Sequence, residues 1–366
     1  MTSTSSPGID TEEQAALRAA VRDLLRRQSG SAAVRKAIRT DTRYDPALWT
    51  RLCQEIGVAA LAVPEQFDGV GAGFMECHVV QEELGRTLTP SPMLGSAVLA
   101  TQALLISADS DACGRLLPGI AAGQSTVAVC WAGAAGWASP GVRAEGDLLS
   151  GEAHYVLDGD HADALLVLAA DGERVALYEV AGDAPGVTRA ARPIMDPTRG
   201  LSTVHFDEVA ATALRTPEDL VPRLTAAAMV AVSAEQVGAA QAVLDLTVAY
   251  TKDRKQFGRA IGSFQALKHR MADMYVLVQS MRSISWAAAD AYANASADAA
   301  QQATIAKVYC SEAFCHVAGE AIQLHGGIGI TWEHDAQLYF KRAHGSAQLF
   351  GQPTEHLAGL AAMAGL

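Results

Sequence analysis

Two glycine-bearing stretches hold the residues whose types and spacing are best suited to chemistry. The first is Arg254-Lys-Gln-Phe-Gly-Arg-Ala-Ile-Gly-Ser-Phe-Gln265, and the second is Gln323-Leu-His-Gly326-Gly327-Ile-Gly329-Ile-Thr-Trp-Glu333. Each sets fixed polar groups beside glycines: Arg254, Gln256 and Gln265 in one, Gln323 in the other. Glycine lets a backbone come close to a phosphate or a flat ring, and neighbouring N–H groups then meet the ligand. The plain alternative is that Arg254 caps a helix C-terminus and the glycines only turn the chain.

The elements that must position these stretches are legible from periodicity and punctuation. Residues 10–122 read as helices. Thr11-Glu-Glu-Gln14 is a capping-box pattern, with Leu17, Val21, Leu24 and Leu25 following at helical spacing. Asp45-Pro46 places a cap and a first-turn proline before Leu48, Leu52 and Ile56, and Gly57 stops that helix. Val63 to Gly71 is turn chemistry, and a helix resumes over Met75 to Gly85. From Gly123 to about residue 215, short β-rich runs alternate with turns. Gly146-Asp147, Asp158-Gly159 and Asp171-Gly172 read as hairpin breaks, so this segment is expected to be antiparallel. Beyond Pro217 the helical period returns, with helices expected over Leu224–Asp253, Gln265–Asn294, Ala300–His325 and about His334–His344. The fold class is therefore α+β. It comprises an N-terminal helical domain (1–122), a middle antiparallel β domain (123–217) and a C-terminal four-helix bundle (218–366).

Composition excludes several function classes. The formal charge of −12 leaves no basic stripe for a nucleic acid. The apolar runs read as too short for a membrane span, and Met1 to Gly8 shows no secretory pattern, so a cytoplasmic protein is expected. The six cysteines lack C-x-x-C or metal-ligand spacing and read as reduced, buried small hydrophobes; no metal site is expected.

Several further stretches, in order, carry a family likeness: Ala59-Ala-Leu-Ala-Val-Pro-Glu65, Glu82-Glu-Leu-Gly85-Arg86, Met195-Asp-Pro-Thr-Arg199, Ala272-Asp-Met274 and His325-Gly-Gly-Ile-Gly329. With Arg254-x-Gln-Phe-Gly258 and Phe264-Gln265, they make the chain resemble the acyl-CoA dehydrogenase family over nearly its whole length. The resemblance implies FAD as cofactor and an acyl-CoA thioester as substrate. A glutamate takes the proton beside the thioester carbonyl, and the β-hydrogen leaves as hydride. It assigns Arg254 to the FAD pyrophosphate, for which a forked guanidinium is suited. It sets Gln256 and Phe257 beside the adenosine half, adds a polar contact from Gln265, and brings Gln323, Gly326 and Gly327 close to the same nucleotide. In the family these elements reach the FAD of a neighbouring subunit.

Two departures concern catalysis. At the first of the family's two positions for the base, this chain has Phe350, in Gln348-Leu-Phe350-Gly-Gln352; at the second it has Ala228-Met229. Neither is a carboxylate. Glu235 is the nearest acid on that helix, about two turns or roughly 10 Å further along. It is either a displaced base or a polar residue at a helix surface or subunit contact. Glu355 reads as a solvated side chain. The loop expected against the flavin ring is here Val129 to Pro140, without the usual acid and hydroxyl; Trp131 and Trp137 either stack on a ring or fill core. Retained nucleotide motifs and lost catalytic groups together resemble the non-catalytic partner subunit of a heterotetrameric acyl-CoA dehydrogenase. The alternatives are a homo-oligomer with Glu235 as base, and a non-redox scaffold that binds acyl-CoA or a carrier-bound acyl group.

Overall fold

A computed structural model describes residues 10–363. The expectation for Met1 to Gly8 lies outside them, apart from the sequence itself. The first helices are α1 (Glu12–Gln28), α2 (Ser31–Ala37), α3 (Pro46–Arg51), α4 (Phe74–Thr87), α5 (Thr101–Ser107) and α6 (Ser110–Ala121). The capping box on α1 forms as read: Thr11 Oγ1 accepts from Gln14 N, and Gln14 Oε1 accepts from Thr11 N. Asp45 caps α3 with Pro46 at its first turn, and a π-helical turn over Leu52–Ile56 ends at Gly57, φ +81°.

Ten strands follow: β1 (Val127–Cys130), β2 (Ala132–Gly133), β3 (Gly136–Pro140), β4 (Val142–Glu145), β5 (Leu148–Leu157), β6 (Ala164–Asp171), β7 (Arg174–Ala181), β8 (Val187–Ala191), β9 (Leu201–Ala210) and β10 (Thr212–Ala213). They form one sheet along the path β10-β7-β6-β4-β5-β2-β3, with β1 on β6 and β9 joining β5 to β8. The sheet is mostly antiparallel, as expected, but β1 and β4 both run parallel to β6. Asp158-Gly159 is likewise not a hairpin turn, because it leads from β5 to β6 and those two strands do not pair. Gly146-Asp147 and Asp171-Gly172 do turn between paired strands. Leu149, Val156, Leu165, Val167, Val204 and Phe206 form the core here.

The C-terminal part begins with α7 (Leu220–Asp253), followed by a small hairpin of β11 (Lys255–Gln256) and β12 (Arg259–Ala260). Then come α8 (Gln265–Ala293), α9 (Ala299–His325), α10 (Ala336–Gln348) and α11 (Pro353–Met363). The four expected helices are present, and α11 is an addition to them. Helix α7 is long and apolar enough to cross a membrane, contrary to the reading of short apolar runs; 89% of its apolar window is buried inside the protein, so it is a core helix.

The chain divides into two compact units that are not contiguous in sequence. Among the described residues, one contains 10–34, 78–89 and 229–363, and the other 35–77 and 90–228. Within the first, α4 and α7 cross at backbone contact. A β-carbon on Gly238 would run into the Glu82 carbonyl, and one on Gly85 into the Glu235 carbonyl. Val237, Val243, Met274, Val278, Phe314 and Val317 build the core of this unit. A charge network ties α1 to α4 and α8: Arg18 meets Asp10, Glu82 and Glu83, Arg22 meets Glu83, and Arg282 meets Glu82.

Candidate nucleotide and catalytic sites

The first glycine stretch is a two-residue hairpin. Lys255 pairs with Ala260 and Gln256 with Arg259, leaving Phe257-Gly258 as the loop, with φ +52° and +78°. Positive φ at both loop positions matches strand twist, but a phenylalanine held there costs on the order of 1–2 kcal/mol. Its ring is also 92% exposed, touching only the edge of Phe264 at 6.2 Å among ring contacts. The Arg259 guanidinium covers the Phe264 ring at 4.0 Å. The hairpin therefore projects Arg254, Gln256 and Phe257 outward. Among the described residues, no side chain pairs with the Arg254 guanidinium or the Gln256 carboxamide. Gln265 opens α8 on the exposed side, its Nε2 3.3 Å from His269 Nε2.

The second stretch is an elbow at the end of α9. Gly326 adopts φ +64°, ψ −146°, a conformation essentially restricted to glycine. Gly326 and Gly327 are exposed, and open space lies where their β-carbons would stand. Gln323 is exposed beside them, and beyond them Ile330 and Trp332 are 69% and 77% exposed. Tyr250, one turn before Arg254 on α7, joins the two stretches. Its ring stacks on His325 at 4.4 Å, and its hydroxyl donates to the His325 carbonyl at 3.2 Å. His325 also packs at 4.4 Å against His334. The His325 imidazole is held below the usual histidine range, first by burial and also by His334; its Nδ1–H bond to Ala321 O opposes this.

The two expected base positions lie in packed interior. Ala228 and Met229 are buried on α7, and Phe350 is buried with φ +59° just after α10. His356 Nε2 donates to the Phe350 carbonyl at 2.8 Å. Glu355 is exposed, and its carboxylate accepts from Gln352 N at 3.1 Å at the start of α11. Glu235 is not on a helix surface: it is buried, and its carboxylate is ion-paired with the equally buried Arg342. The reason is long-range, since Arg342 comes from α10. Around this pair Gln236 donates to Ser311 and Ser346, and the fully buried Lys307 donates to the Ser346 and Ala347 carbonyls at 3.1 and 2.9 Å.

In the sheet, Trp131 is buried and meets Trp137 edge-on at 5.6 Å. Trp137 stacks with Tyr155 at 6.1 Å, giving a partly exposed aromatic shelf. The sequence reading names both tryptophans and misses Tyr155, which an irregularity between Ala153 and Val156 in the β5–β9 pairing sets apart, with φ +55°. Among the described residues no group of three or more His, Cys, Asp or Glu side chains is placed to hold a metal ion. Burial pushes the Cys77 and Cys130 thiols up to about 12, away from reactive thiolate character.

These residues fit FAD on their own chemistry. An uncommitted guanidinium and open glycine backbone suit a pyrophosphate, and the exposed carboxamides of Gln256 and Gln323 suit an adenosine.

Two family models match the chain. "Acyl-CoA dehydrogenase, N-terminal domain" matches residues 11–124, and "Acyl-CoA dehydrogenase, C-terminal domain" matches residues 225–363. The acyl-CoA dehydrogenase IpdE2 of Mycolicibacterium smegmatis is 43% identical over 352 residues, 96% of this chain and 99% of that one. IpdE2 of Mycobacterium tuberculosis is 42% identical, over 95% of this chain and 96% of that one. Among solved structures, a chain of the ChsE4-ChsE5 complex from Mycobacterium tuberculosis superposes with a TM-score of 0.91 at 27% identity, covering 98% of this chain and 99% of that one. A variant of the Tcur3481-Tcur3483 steroid ACAD superposes with a TM-score of 0.89 at 29% identity, over 97% of this chain and 98% of that one.

Proposed function

This chain belongs to the acyl-CoA dehydrogenase family of FAD-dependent CH–CH oxidoreductases, and from that premise we propose that it is the partner subunit of a heteromeric enzyme. In this reading it completes the FAD site of a catalytic subunit in a cytoplasmic tetramer of two copies of each chain. One observation carries the proposal. The nucleotide-side groups Arg254, Gln256, Gln323, Gly326 and Gly327 are exposed, whereas the base positions hold Ala228 and a buried Phe350.

When bound, FAD supplies the hydride acceptor for α,β-desaturation of the acyl-CoA. This chain's own part is to bind and orient. Arg254 would hold the pyrophosphate, Gln256, Phe257 and Gln265 would hold the adenosine half, and the Gly326-Gly327 backbone would approach it. The exposed Phe257, Ile330 and Trp332 provide apolar surface of the kind subunits bury. Glu235 is poorly suited to be a displaced base, since Arg342 already engages its carboxylate. The substrate class we assign is a bulky, steroid-derived acyl-CoA thioester, because one structural relative is a steroid ACAD.

The test is expression of the chain alone and together with an acyl-CoA dehydrogenase encoded beside it. Alone, the protein carries little FAD and has no dehydrogenase activity; together, they yield a yellow, active complex. Full FAD occupancy and turnover by the lone chain would overturn the proposal.

A further inference from the structure

The geometry points to Tyr250 as a positioning residue that, with His325 and His334, sets the Gly326-Gly327 backbone for the nucleotide. This rests on the reading of the two glycine stretches as nucleotide-holding. A glycine pair at a helix end is the least restrained backbone a chain can offer, and a site built from it loses affinity to its own disorder.

Here the peptide unit entering the pair is fixed at both ends. The His325 carbonyl accepts from the Tyr250 hydroxyl at 3.2 Å, and the Gly326 N–H donates back to the Gln323 and Ile322 carbonyls of α9. The side chain of the same residue is clamped as well. Its Nδ1–H donates to Ala321 O at 2.7 Å, and its ring lies against Tyr250 and His334, each at 4.4 Å. His334 in turn is tied to the start of α10, where its Nδ1 accepts from Ala336 N at 3.2 Å. The stack thus links α7, the end of α9 and the start of α10 at the one place where the elbow must hold a shape. Because Tyr250 lies one turn before Arg254, it also registers the elbow against the guanidinium.

The experiment uses the FAD-loaded assembly, with affinity read from flavin fluorescence on titration of FAD into stripped protein, and melting of the stripped protein followed separately. Tyr250→Phe keeps the ring and removes the hydroxyl, and should weaken FAD binding about fivefold, the worth of one hydrogen bond, while barely moving the melting temperature. Tyr250→Leu removes both contacts and should weaken it further. Arg254→Ala serves as the control for the underlying reading. Unchanged FAD affinity in both Tyr250 variants, alongside loss in Arg254→Ala, overturns the positioning role and leaves the nucleotide reading standing. Unchanged affinity in Arg254→Ala as well overturns the nucleotide reading itself. A lower melting temperature with wild-type FAD affinity in Tyr250→Phe makes the stack merely structural and also overturns the inference.

Discussion

His78 should make this protein acid-sensitive well above the pH at which carboxylates titrate. It lies buried on α4, with Nε2 2.9 Å from Ser285 Oγ on α8, which is 2.6 Å from Ser233 Oγ on α7. Ser233 donates to the Val230 carbonyl, so Ser285 must donate to Ser233, and His78 Nε2–H must donate to Ser285. The imidazole is thereby held as its neutral Nε2–H tautomer. Burial, the largest cause, drives its pKa down from 6.5 to about 4, helped by Arg18 and opposed by Glu82.

Since the folded state resists a proton that the unfolded chain accepts, the contribution is intact above pH 6.5 and is lost progressively as pH falls towards 4. Between pH 7 and pH 5 the loss works out at about 2 kcal/mol for this one group. The assay is urea denaturation of the wild type and His78→Gln at both pH values. Glutamine keeps a donor for Ser285 but does not titrate, so wild-type stability should fall by about 2 kcal/mol more than that of the variant. Equal falls in the two proteins would refute the reasoning.

Two other substitutions follow from the same unit. Gly238→Ala places a methyl against the Glu82 carbonyl; overpacking of about 3 kcal/mol outweighs a helix-propensity gain of about 1 kcal/mol, and denaturation should show a net loss near the difference, whereas a stabilised variant would contradict the α4–α7 crossing. Glu235→Gln removes the negative charge of a buried ion pair with Arg342 and should cost about 3 kcal/mol of stability; turnover of the intact complex, measured well below the melting temperature, should persist, and its abolition would instead make Glu235 the base.

Local features of the fold were readable from the chain because their causes are local. Thr11 with Gln14, and Asp45 with Pro46, announce helix starts through contacts three residues wide or less. The glycine-bearing turn between Asp253 and Gln265 was readable, though its form as a hairpin at Phe257-Gly258 was not. What escaped the reading depends on distant partners. Glu235 reads as a displaced base or a polar residue at a surface or subunit contact until Arg342 arrives from α10. Lys307, a lone lysine in an alanine-rich helix, drew no reading from the sequence, yet from full burial it donates to carbonyls at the end of α10. The parallel pairing of β1 and β4 with β6 is set by which strands meet, not by the alternation within any one. Tyr155 was missed because a pairing irregularity resets the side-chain alternation on which strand reading relies.

The interleaving of the two compact units bears on how the molecule can be made. Helices α1 and α4 are synthesised early, but they belong with residues 229–363, where Arg282 and the α7 glycine await them. The unit containing residues 35–77 and 90–228 has its whole sequence available while the ribosome is still adding α8 to α11. The first unit closes only once the C-terminal helices have emerged, so the earliest helices spend most of translation without their partners. A gene cut after residue 124, at the end of the N-terminal family match, would therefore release a fragment with unmatched surfaces, not a small autonomous domain.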